Sequence, residues 1–262
     1  TGENAADQGT AGGAVLLHST GAGAITLLGD ITASGGNTTA GTNDGGDAGV
    51  ITVRNDSGSI LIDDVTATGG TSAGGTAGAD GTIQLSATTT IDQQAATDIT
   101  AAGGNLKLVS TGGDVTLNNV TNTVAIVAAD LTGASSLSYT DADGLSIGMI
   151  AQAGTGNAQL AAETGIVATG ADETVTVTSL TGQLTVDDVI TTASGNVELT
   201  ATAGALLIDA AVTTTAGTAT LTAGTTITST AAGTITTTGE NAADQGTAGG
   251  AVLLHSTGAG AI

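Results

Sequence analysis

Residues 195–217 read GNVELTATAGALLIDAAVTTTAG. Three short runs stand in this stretch, Asn196–Thr200, Ala205–Asp209 and Ala211–Thr215, and each alternates apolar with polar residues before ending at glycine or a small polar residue. Alternation with a period of two is the mark of a strand with one face buried. Three such strands in 23 residues, with no segment long enough to form a helix between them, describe one coil of a β-solenoid.

Laid along the chain, this template starts near residues 13, 49, 81, 104, 123, 156, 173, 195 and 218, and again at 250. The spacing averages about 26 residues, within the range of β-helix coils that carry loops. The first strands supply inward pairs: Val15/Leu17, Ile51/Val53, Ile83/Leu85, Leu106/Leu108, Ala158/Leu160, Val175/Val177, Val197/Leu199 and Ala219/Leu221. The residues between them are mostly polar, which predicts one dry and one wet face. Coils that stack make parallel sheets, and crossovers between parallel strands are right-handed. The expected fold is therefore all-β, a right-handed parallel β-helix of about nine coils.

A longer period contains the coils. Residues 1–25, TGENAADQGTAGGAVLLHSTGAGAI, recur unchanged at 238–262, an offset of 237. The chain divides into one full copy, 1–237, and the start of an identical one, 238–262. Because the second copy breaks off at Ile262 inside an expected strand, the chain reads as a window on a longer array, with further copies of itself as its first partner.

Composition agrees with stacked, uniform layers. There are 43 glycines, no Phe, Trp, Pro or Cys, and one Tyr, yet hydrophobic residues make up 40% of the chain. Such a core is built from Ala, Val, Ile and Leu alone, where an irregular globular interior would use aromatics. Absence of Cys excludes disulfides, thiolate metal sites and a cysteine nucleophile. Twenty-four carboxylates against Arg54 and Lys107 give a net charge of −22. This charge repels nucleic acid and anionic membranes and calls for cations. No apolar run is long enough to span a bilayer.

A small motif recurs in the third strand: Asp30-Ile31-Thr32-Ala33, Asp64-Val65-Thr66-Ala67, Asp98-Ile99-Thr100-Ala101, Asn119-Val120-Thr121 and Asp188-Val189-Ile190-Thr191. Asp or Asn at the corner caps turn backbone. Insertions follow this strand at 36–48, 70–80 and 239–249, predicting one lobe of neighbouring loops along one edge. Asp30 and Asp64 fall on one corner of adjacent coils, and the loops bring Asp44, Asp47, Asp80, Glu240 and Asp244 toward the same edge. Carboxylates with backbone carbonyls of Gly-rich loops suit a hard divalent cation, so calcium is the expected ion.

Other chemistry reads weakly. His18 points outward one coil from Arg54, with neither an orienting carboxylate nor a nucleophile to be placed beside it. Lys107, between Leu106 and Leu108, reads as solvated. Asp141-Ala142-Asp143-Gly144 resembles a calcium-loop fragment but lacks the remaining oxygen ligands, and reads as a turn. Polysaccharide-cleaving solenoids need cationic and aromatic residues that this chain hardly has, so no catalysis is expected. Rows of threonine such as Thr213–Thr215, Thr228 and Thr236–Thr238 allow an ice-binding surface as a further alternative.

The modules GNVELTATAGALLIDAAVTTTAG and GTIQLSATTTIDQQAATDITAAG (81–103) resemble the β-helical shaft of filamentous-haemagglutinin-like exoproteins and other giant bacterial adhesins. The resemblance implies secretion and a place on the cell surface as a stalk, adhesin or matrix fibre. A calcium-stiffened adhesin shaft is the alternative within that class.

Overall fold

Alternating Val, Ile, Leu and Thr favours pleated strands, and glycine at their ends lets the backbone turn sharply. The computed structural model, which describes residues 1–5, 8–154, 159–239, 248–258 and 262, is a right-handed parallel β-helix. Its described elements are all strands. A nine-stranded parallel sheet forms one side, and a fifteen-stranded sheet wraps the other two. A two-stranded antiparallel ribbon, Met149–Ile150 with Glu163–Thr164, stands outside the stack.

The core is a set of aliphatic columns. Ile51, Ile83, Leu106 and Val127 lie directly over one another, as do Val53, Leu85, Leu108 and Ala129, all buried. Aliphatic side chains of similar size stacked in register fill the interior without aromatics, in keeping with the missing Phe and Trp. The quoted module forms strands at Val197–Ala201, Leu206–Ile208 and Val212–Thr215, within a residue of expectation.

The corner motif holds in its first three copies. Ile31 pairs with Val65 and Val65 with Ile99, so Asp30, Asp64 and Asp98 form a column just outside the sheet. Its last two copies differ. Val120 and Val189 are exposed, and Thr123–Val124 and Ile190–Thr192 take the strand positions instead.

The middle of the stack departs from the uniform template. Below it, the five-residue strand of each coil lies on the fifteen-stranded sheet, as in Val15–Ser19 and Ile51–Asn55. Above it, the five-residue strand lies on the nine-stranded sheet, as in Val175–Ser179, Val197–Ala201 and Ala219–Ala223. The changeover is at Thr123–Leu131 and Leu137–Asp141, two long strands in succession. Ile147 continues the column of Val127, while Ile166 continues that of Ala129, so one long strand is met by two short ones. The columns therefore do not join Val15/Leu17 to Val175/Val177 or Val197/Leu199, as the sequence template has it. Val175, Val197 and Ala219 lie above Ile25, Ile60, Ile91, Val115 and Leu137.

The coil expected to start at 156 is also absent as a separate level. Leu160 makes an antiparallel bridge to Ala153 in the ribbon region rather than joining a parallel sheet, and Ala158 lies outside the described residues. Two long strands stand in succession, Thr123–Leu131 and Leu137–Asp141, so a template that expects one long strand per coil cannot reveal which sheet each joins.

The inserted loops 36–48 and 70–80 do stack, while 240–247 of the third expected insertion lie outside the described residues. Residues 1–5 and 8–12 bond to 34–47, through Gly2 N to Ser34 O at 2.7 Å and Gly12 N to Asp47 O at 2.7 Å. Residues 34–48 in turn bond to 68–79, through Thr38 N to Thr71 O and Gly45 N to Thr76 O, both 2.9 Å. Among the described residues, the lobe packs backbone on backbone. Gly78 N donates to Gly70 O, Gly70 N to Gly46 O, Gly46 N to Gly36 O and Gly36 N to Thr10 O, at 2.8–2.9 Å. The backbones approach so closely that a Cβ at Gly70 would sit 1.9 Å from Gly36 O.

Candidate functional site: a covered basic cleft and an acidic corner

Both cationic side chains, and His18, sit on the outer side of the same sheet. Register places His18 against Arg54, and Lys107 against Gln84 above Thr52. Asp56, just past its strand, joins the first pair: Arg54 Nε donates to Asp56 Oδ1 at 2.5 Å, and His18 Nε2 is 2.8 Å from Asp56 Oδ2. The hydrogen bond to His18, followed by that to Arg54, holds the Asp56 carboxyl below its usual value. The orienting carboxylate that sequence could not place for His18 is thus Asp56. Among the described residues, no hydroxyl is hydrogen-bonded to the His18 ring.

Lys107 corrects its sequence reading. It does lie on the outer side of its strand, but the segment around the antiparallel ribbon folds back over it and leaves it fully buried. Its Nζ donates to Ala151 O at 3.0 Å and Ala161 O at 2.5 Å. Burial pushes the Lys107 ammonium down in pKa, while Glu163 opposes that shift; burial also pushes Glu163 up. Gln84, beneath the same cover, is fully buried with neither amide atom hydrogen-bonded. A cavity of about 360 Å³ opens beside it, lined in part by Arg54, Asp56, Gln159 and Glu163. The partners of Lys107 lie 44 and 54 residues along the chain, beyond any local sequence signal.

The expected cation ligands part company. Asp30 and Asp64 come together and Asp63 joins them, one carboxylate oxygen from each lying within 4.8 Å of the others. Sequence reasoning missed Asp63, although it precedes Asp64 directly. Asp44, Asp47 and Asp80 do not join this group. Each instead caps backbone of the next loop or coil: Asp44 Oδ1 accepts from Thr76 N at 2.7 Å and Asp47 Oδ1 from Ala79 N at 2.8 Å. Asp80 accepts from Gly69 N and Gly103 N, both at 2.6 Å. Glu240 and Asp244 lie outside the described residues.

One further acid lies where sequence suggested a turn. Asp141 does precede a turn, and its Oδ1 accepts from Asp143 N at 3.1 Å, but its side chain is buried. Its Oδ2 accepts from Val124 N at 3.0 Å and from the buried Tyr139 hydroxyl at 2.7 Å. Burial, reinforced by Asp143, raises its pKa to about 7. Burial, and then the neighbouring Asp141 charge, push Tyr139 well above its usual value. Comparison of the chain with protein-family models, with curated proteins and with solved structures finds no match.

Proposed function

We propose that this chain is a non-catalytic structural or adhesive segment of an extracellular, cell-surface fibre resembling the shafts of giant bacterial adhesins. One observation carries the proposal. The first strand of the second copy, Val252–Ser256, pairs in parallel register with Ala219–Ala223, so the repeat extends the stack instead of closing it. A sheet end left unpaired invites another strand, and a further copy would fit it. The acidic surface suits a fibre that stays dispersed in saline surroundings.

The test is immunolabelling of intact source cells with antibody raised to the purified chain, paired with electron microscopy of the labelled material. Label on thin extracellular filaments is the expected result. Label that appears only after the cells are broken open overturns the proposal.

A calcium-stiffened shaft is the second reading, and the proximity of Asp30, Asp63 and Asp64 is the observation that favours it. Three carboxylates at that spacing repel one another unless a cation or a proton intervenes.

A further inference from the structure

We infer that successive copies of the 237-residue repeat enter the solenoid rotated by one side of its cross-section, so that their loop lobes project in three directions around the fibre. The inference rests on the fibre reading only in assuming that copies continue; the rotation itself is read from this chain.

The rotation follows from two columns. Val15, Ile51, Ile83, Leu106, Val127, Ile147, Val186, Ile208 and Ser229 stand over one another through successive pairings. A copy making a whole number of turns would place Val252, the counterpart of Val15, above Ser229. It lies elsewhere. Val252 pairs with Ala219 and so tops the column of Ile25, which runs through Ile60, Ile91, Val115, Leu137, Val175 and Val197. Nine members make eight full turns from Ile25 to Val252. Ile25 itself is one corner beyond Val15. One copy is therefore eight turns plus one side of a three-sided coil, and three copies restore the original orientation after twenty-five turns.

An independent glycine column agrees. Gly49, Gly81 and Gly104 each pack their Cα against the carbonyl of the glycine one coil earlier, starting from Gly13. Gly250 is the counterpart of Gly13, yet it packs against Gly217, in a column with Gly195 on another corner. The physical origin is the changeover at Thr123–Leu131 and Leu137–Asp141, where two long strands, of nine and five residues, follow one another and the long strand of the coil moves on by one side.

The consequence concerns what the fibre can touch. In the first copy the lobe leaves the corner between the third strand of one coil and the first strand of the next. In the second copy the corresponding insertion lies between Ile235–Thr238, on the fifteen-stranded sheet, and Val252–Ser256, on the nine-stranded one. At about 4.8 Å per level, lobes follow one another roughly every 40 Å along the axis, each turned by about a third of a circle, and the pattern recurs after about 120 Å. Contacts made through the lobes are thus offered to neighbouring fibres on all sides.

The chain has no cysteine, so paired cysteines report register directly. Thr220 and Leu253 are paired and face outward. Neighbouring parallel strands hold Cα atoms about 4.8 Å apart, within disulfide reach. In the 262-residue chain, T220C/L253C should oxidise to a single intramolecular link, identified by peptide mass spectrometry, while T230C/L253C should not. A link in T230C/L253C and none in T220C/L253C overturns the inference. A four-copy tandem imaged by cryo-electron microscopy gives the second readout. Lobes on three edges are expected, and lobes on one edge every 40 Å overturn the rotation. Compact particles in the same images would instead count against the fibre reading, leaving the cross-link to decide the rotation.

Discussion

Tyr139 donates its hydroxyl to Asp141, two residues along the same strand, at 2.7 Å inside the aliphatic core. The only tyrosine of the chain is thus bound to a buried carboxyl at the level where the long strand changes sheets.

That carboxyl makes stability depend on pH. Its folded pKa, about 7, lies above the ordinary aspartate value of 3.8, so between those values the folded chain holds a proton that the unfolded chain has lost. The contribution is fully present below the lower value and is lost as pH rises toward 7, by at most about 4 kcal/mol. Between pH 5 and 8 the parent chain should lose melting temperature relative to D141N. Parallel melting curves across that range would refute the assignment.

Lys107 fastens the segment that covers it. In K107A two carbonyls, Ala151 O and Ala161 O, lose a charged donor, a local loss of about 1–3 kcal/mol. Amides of 149–154 and 159–165 should exchange hydrogen faster by roughly five- to 150-fold, the equivalent of that energy, while circular dichroism of the β-helix is unchanged. Unaltered exchange there would mean that the cover is held by other contacts.

The glycine lobe should tolerate no methyl group. An added Cβ at Gly70 would lie 1.9 Å from Gly36 O, whereas one at Gly29 meets nothing within 4 Å. G70A should expose the lobe to limited proteolysis and lower the melting temperature, at a cost of about 1–3 kcal/mol. G29A is the control and should match the parent chain. Equal behaviour of the two variants would contradict the close packing of the loops.

Asp63 tests the acidic corner. In low-salt buffer with chelator, D63N should melt higher than the parent, because it removes one of three crowded like charges, and added salt should narrow the gap. If calcium occupies the corner, adding it should raise the parent above D63N. A parent chain indifferent to both chelator and calcium would end the calcium reading.

Much of this fold was legible because the signal was local and repeated. Val197/Leu199 and Ile83/Leu85 announce their buried sides by alternation alone, and Asp30 and Asp64 announce a shared corner by their motif. Long-range effects were not legible. Lys107 is covered by a segment that returns over an outer surface, and nothing beside Leu106 and Leu108 distinguishes that from solvent. The change of sheet at Leu137 is invisible because a five-residue strand looks the same on either side of the coil. Asp44, Asp47 and Asp80 were recognised as lobe residues, but their carboxylates bind backbone amides instead of gathering, since tightly packed glycine loops leave unpaired N–H groups to satisfy.

A core made of stacked columns has a mechanical consequence. Each level is bonded mainly to the level above and the level below, so load applied along the axis is carried in series and failure at one level does not dissolve the rest. A coil peeled from an end releases on average about 28 residues, which can pay out roughly 95 Å of slack before the next coil is stressed. A stack of this kind yields by unreeling one coil at a time.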